Sequence, residues 1–133
     1  MANFINLTPH PVRLRPNAAN TAASPDATDI VVAPFAGPDG KPAPARVSST
    51  PGGVVGEAAG LPIYGAPMWG AVEGLPAPVE GTIFIVSLLV LGHLSGRDDV
   101  VGPGTGPADN TVRYSEPPER KGQVYAVTRL NRG

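Results

Sequence analysis

The run Glu80-Gly81-Thr82-Ile83-Phe84-Ile85-Val86-Ser87-Leu88-Leu89-Val90-Leu91 leaves this chain few ways to fold. Ile83 to Val86 is β-branched or aromatic at every position, with no polar alternation, so a strand here must have both faces covered. From Ser87 onward the residues switch to leucine-rich helix formers, and Ser87 is placed to cap them. The run predicts a buried strand leading straight into one short buried helix, about residues 87–94, stopped by Ser95-Gly96. At about half the length a bilayer requires, it does not predict a membrane span.

The opening Asn6-Leu7-Thr8-Pro9-His10-Pro11-Val12 is the second constraint. Two prolines remove two backbone donors and fix φ, so a strand over Phe4–Leu7 must bend or end there. Val12-Arg13-Leu14-Arg15 then alternates apolar and charged, the pattern of a half-buried strand. Further strands are predicted at Ile30–Pro34, at Ala45–Ser49 pairing with it, at Leu61–Gly65, Met68–Glu73, Asp98–Val101 and Thr111–Tyr114, and as one last strand over Val124–Leu130. Gly52-Gly53 and the stretch to Gly60 read as a flexible piece, and Pro117–Gly122 as a turn. The predicted class is mainly β or α+β: a compact sheet or partly open barrel of short strands, one short helix, and long Gly/Pro loops.

Length sets one domain over 1–133. The 17 Gly and 17 Pro approach a disordered composition. Yet 41% hydrophobic residues and a net charge of −1 contradict disorder, which needs low hydrophobicity and high net charge. Residues 16–29 and 102–120 are read as loop or arm insertions. Ten Lys plus Arg against eleven Asp plus Glu leave no basic footprint for nucleic acid. The absence of Cys excludes disulfides and thiolate zinc sites. Met1-Ala2-Asn3-Phe4 lacks the basic and apolar regions of a signal peptide, so a soluble, unsecreted chain is expected.

The chemistry-bearing residues do not form a catalytic pattern. His10 and His93 are two histidines in different elements, short of the three or four ligands of a zinc site, and each reads as a locally bonded residue. Ser87 lacks the glycines of a nucleophile elbow and reads as an N-cap. Gly102-Pro103-Gly104-Thr105-Gly106-Pro107 lacks the Lys-Ser/Thr ending of a phosphate loop, and its prolines delete amide donors. Arg97-Asp98-Asp99 reads as an Arg–Asp pair tying the helix to the sheet. No enzyme, cofactor or metal is expected. Tyr64 and Trp69 flank Gly65-Ala66-Pro67 and are candidates for a groove or a subunit interface, because each offers a large apolar face with a polar handle.

Asn6-Leu7-Thr8-Pro9-His10-Pro11-Val12, Gly70-Ala71-Val72-Glu73-Gly74-Leu75-Pro76, and Gly81–Ser87 followed by Arg97-Asp98-Asp99-Val100-Val101 together resemble a group of small uncharacterised proteins of bacteriophages, prophages and bacterial genomes. The resemblance covers about half the chain, in islands. It implies a phage context and no particular chemistry.

Two functions follow as expectations. The first is a non-enzymatic virion or assembly component (head decoration, joining or tail-associated) acting through protein–protein contacts as a homo-oligomer or on capsid or tail proteins. The second is a small protein of the infected host cytoplasm that sequesters a nucleotide-derived immune signal. The ligand or interface residues for either are Asn6, Thr8, His10, Tyr64, Trp69 and Arg97. For the second, an arginine would pair a phosphate and an aromatic would stack a base.

Overall fold

The computed structural model describes residues 3–94 and 96–132. The chain is mainly β: the described residues form 39% strand, 5% helix and several small sheets, with no closed barrel among them. The body is built on a four-stranded sheet of β1 (Asn3–Asn6), β8 (Thr82–Ile85), β9 (Val100–Pro103) and β12 (Leu130–Arg132), in that spatial order. β1, β8 and β9 are mutually parallel along the sheet, and β12 runs antiparallel to β9.

The apolar run is β8 followed by α1 (Leu88–Leu91). Phe84 and Val86 face one core cluster with Leu7, Ala45, Val90, Leu91 and Val100, while Ile85 faces the other with Leu14, Val101 and Val127. Both faces are covered, which is why the run carries no polar alternation. Ser87 caps α1 by accepting from the Val90 amide at 3.3 Å. The α-helix is shorter than the predicted 87–94. After Leu91 the bonds tighten to His93 N–Val90 O (3.0 Å) and Leu94 N–Leu91 O (3.1 Å), a three-residue spacing that closes the helix. Val90 and Leu91 are buried and Leu88 and Leu89 are exposed, so the helix buries one side. The predicted stop at Ser95-Gly96 falls partly on Ser95, outside the described residues.

β2 (Val12–Leu14) pairs antiparallel with β3 (Ile30–Val32), and β10 (Val112–Arg113) with β11 (Val124–Ala126). The expected partner of Ile30–Pro34 was Ala45–Ser49. Instead β3 pairs with β2, and β4 (Arg46–Thr50) pairs with β7 (Met68–Glu73). The single predicted last strand is two. Ala126 and Val127 are neighbours and both buried, so alternation fails there, and Val127 bridges to Leu14 before the chain enters β12. A 3₁₀ turn at Pro118–Arg120 fills the predicted turn.

The stretch read as flexible is a strand, β5 (Val54–Ala58), which pairs with β6 (Leu61–Tyr64). Ala59 and Gly60 link them with φ of 50° and 79°, the doubly left-handed turn that suits a tight hairpin. β4–β7 and β5–β6 are nested in sequence and form an arm over residues 46–73. The two ribbons meet at a tight crossing, where a Cβ on Gly52 would lie 2.5 Å from the Gly65 carbonyl oxygen. Only a glycine fits that approach.

This division of labour is measurable. Phe84 is 1% exposed, so Phe84→Ala is expected to lower the unfolding free energy by about 3–5 kcal/mol. Val55 is 71% exposed on the arm, and Val55→Ala is expected to change it by less than about 0.5 kcal/mol. Urea denaturation followed by circular dichroism reads both; equal costs would mean that the arm is part of the core.

Candidate functional site

Asn6, Thr8 and His10 come together, and they form a knot of the backbone. Asn6 is 1% exposed at the end of β1. Its amide donates to the carbonyls of His10 (2.8 Å) and Val32 (3.0 Å), and its Oδ1 accepts from the Thr8 amide (2.9 Å) and hydroxyl (2.6 Å). Those four bonds use both donors and both lone pairs of the side chain. The His10 carbonyl is the bonded group of that residue, and His10 itself is exposed. The Thr-Pro-His-Pro turn is thus held shut from inside by a side chain with no capacity left for a ligand.

A second polar cluster was invisible to the alternation rule. Arg15, read as the solvent side of β2, is 1% exposed. Its guanidinium donates to Asp29 through Nε (2.9 Å) and Nη2 (3.0 Å), to the carbonyls of Asn20 and Ala22 through Nη1, and to that of Ser24 through Nη2. All five N–H donors of a guanidinium are used. Arg13 adds a bond to Asp29 at 2.9 Å, and both guanidinium carbons lie over the Tyr125 ring, at 4.9 and 5.5 Å. The 16–29 segment is a loop, and it is wrapped around Arg15. Its signal in the sequence is Asp26-Ala27-Thr28-Asp29, where Asp26 accepts from the Thr28 amide and hydroxyl in a local turn.

The hydrogen bond from Arg15 holds the Asp29 carboxyl far below the usual carboxylate range, and Asp29 in turn raises Arg15. Bonds from Asn20 and Thr28 lower Asp26 to about 2. Arg97 pairs with Asp99 at 2.8 and 2.9 Å, which lowers Asp99 and raises Arg97. It also donates to the Pro76 carbonyl at 3.0 Å, so the pair ties the segment after α1 to the connection leading into β8.

Tyr64 and Trp69 lie on the arm, on β6 and β7. Trp69 leans against the His93 ring, with centroids 4.7 Å apart, and His93 Nδ1 is 2.9 Å from the Leu89 carbonyl oxygen. This contact braces the arm's base against α1, together with half-buried Val47 and Val72 on the core. Beyond the base, the ribbon is bare. Val54, Val55, Leu61, Ile63, Tyr64 and Met68 are 45–72% exposed, and Trp69, despite its contact with His93, is 45% exposed. The arm's charged residues are Arg46, Glu57 and Glu73 alone, and Arg46 and Glu73 are cross-strand partners at its base. Exposed large apolar side chains are thus concentrated on these two ribbons.

A concavity lies elsewhere, an apolar cleft of about 230 Å³ beside Phe4, Leu14, Ile30, Val127 and Leu130. Ligand pockets start at about 300 Å³. Among the described residues, no group of three or more His, Asp or Glu is placed to hold a metal ion, and no helix is long and apolar enough to cross a membrane. Comparison with known protein families, with curated proteins and with solved structures finds no match.

Two outcomes follow. Asn6→Ala strands several buried backbone groups and is expected to cost about 2–3 kcal/mol of stability in chemical denaturation. A carboxylate with a lowered folded pKa stabilises above its unfolded value and loses that contribution as pH falls. The loop lock is therefore expected to hold from neutral pH to near 3.8 and to weaken as pH falls through about 2 for Asp26, and lower still for Asp29. Asp29→Asn removes most of this acid dependence if thermal melts are followed across that range.

Proposed function

We propose that this chain is a non-enzymatic, phage-type assembly protein that acts through protein–protein contacts made by the arm at residues 46–73. The exposed apolar ribbon carries this reading: seven large apolar side chains are exposed on an element that reaches the core only through Val47 and Val72 at its base. A ribbon of this kind costs solubility unless something covers it. Its low charge favours a protein surface over a nucleic acid. The virion is the site of action in this reading, at the head surface, the head–tail joint or the tail.

The nucleotide-sequestering alternative has less support. Arg97 is engaged by Asp99 and Pro76, Asn6 is saturated by backbone groups, and the candidate aromatics stand on the arm.

Mass spectrometry of purified particles, with this chain quantified against the major capsid protein, tests the proposal. A fixed copy number is expected. A variant in which residues 51–67 are replaced by a short turn is expected to keep the body's denaturation midpoint and to vanish from particles. Absence of the intact chain from particles would overturn the assembly role.

A further inference from the structure

Trp69 ties the arm to the body through a side chain that can change charge, and that side chain is fixed from its other end. In a continuing α-helix the His93 amide would bond the Leu89 carbonyl. Here it bonds Val90 at 3.0 Å, and the His93 ring takes the Leu89 carbonyl instead, with Nδ1 2.9 Å from the oxygen. A carbonyl oxygen only accepts, so Nδ1 carries the hydrogen, and Nε2 is the nitrogen left to take a proton. The ring is thereby held at the end of α1, its centroid 4.7 Å from that of Trp69 and the two planes 50° apart. A proton on Nε2 leaves the Nδ1 bond in place and turns the ring into a cation.

We propose that this contact is a proton-operated clamp: charging His93 tightens the base of the arm against α1, and discharging it loosens the arm. The clamp concerns how the arm is held, so it goes beyond the assembly reading and stands whatever the arm binds. Two forces set its sign. A cation within about 6 Å of an aromatic centroid is attracted by the ring, and Trp is the strongest such partner. The partial negative charge of the Leu89 oxygen at the helix end also favours a positive ring. The neighbouring charges do not reverse this. β9, packed against α1, has no ionisable side chain. β4 and β7 carry Arg46 and Glu73, cross-strand partners of opposite sign, and Glu73 stands about 13 Å along the strand from Trp69. After α1, Arg97 and Asp99 pair with each other, and Asp98 is exposed. Among the described residues no carboxylate forms an ion pair with His93. A clamped ring that favours the proton adds stability on the acid side, and that stability fades as pH rises. The clamp is therefore strongest near pH 5 and weakest near pH 8, the interval in which histidine side chains change charge. Asp26 and Asp29 titrate far below it, so the loop lock is constant across the same range.

Trp69 is the single tryptophan and His10 the one other histidine, so the full chain reports on the contact directly. Its tryptophan emission is expected to fall between about pH 8 and about pH 5, because an imidazolium in contact quenches indole. His93→Gln is expected to abolish that change, and His10→Gln, at an exposed side chain, to leave it. A double-mutant cycle of Trp69→Leu and His93→Gln in urea reads the strength of the clamp. Both side chains lie outside the buried core, so the variants keep the body that the comparison needs. Expressed as a factor in the unfolding equilibrium constant, the coupling is expected to be about two- to fivefold larger near pH 5 than near pH 8. A coupling that is equal at the two pH values or larger at the higher one overturns the clamp, as does an emission change that survives His93→Gln. The clamp is read on the free chain and the assembly role on particles, so either can fail without the other.

Discussion

The body of this protein hangs on the Asn6–Leu7 peptide and the side chain beside it. The Leu7 amide donates to Ile85 at 2.7 Å, fixing β1 to β8. The Asn6 carbonyl accepts from Phe35 at 2.8 Å and the Leu7 carbonyl from Ala45 at 3.0 Å. The Asn6 side chain closes the turn into β2 and reaches Val32. Segments far apart in sequence therefore share one short piece of buried backbone. A buried polar group of this kind is costly when unmatched and specifying when fully matched, because the low local dielectric amplifies both.

The arm inherits its position from that hub. Ala45 is bonded to Leu7, and β4 starts at the next residue. The arm's base is pinned by Val47, Val72 and the Trp69–His93 contact. Among the described residues, no buried side-chain nitrogen or oxygen lacks a hydrogen-bond partner. The arm's distal half bears exposed apolar side chains, Val54, Val55, Leu61, Ile63, Tyr64 and Met68, and the proposed function rests on them.

Much of the body was legible in the sequence, because burial on two faces leaves a plain mark. The Ile83–Val86 run, the Ser87 cap and the Pro-bounded opening strand each follow from local rules. Pairing was less legible. Nothing in Ile30–Val32 distinguishes a partner at Val12–Leu14 from one at Ala45–Ser49; the choice is made by Arg13 and Arg15 reaching Asp29 across the loop. Arg15 looked exposed because alternation treats every charge as solvated, and a guanidinium with all its donors filled breaks that assumption. β5 was hidden by Gly52, Gly53, Gly56 and Gly60. Of these, Gly52 serves a close backbone crossing and Gly60 a left-handed turn, so they shape the ribbon that they seemed to dissolve. Of the six candidate residues, Asn6, Thr8 and His10 meet in one turn, Tyr64 and Trp69 share the arm, and Arg97 is paired near Pro76.

Hydrogen–deuterium exchange resolved by segment, on the free chain at high dilution and on the assembled form, tests the central claim most directly. The account predicts slow exchange for β1, β8 and β9 in both states, fast exchange for residues 54–64 in the free chain, and new protection on assembly concentrated there. Protection that appears on the body, around the cleft or the Thr8–Pro11 turn, with residues 54–64 still exchanging freely, would contradict it.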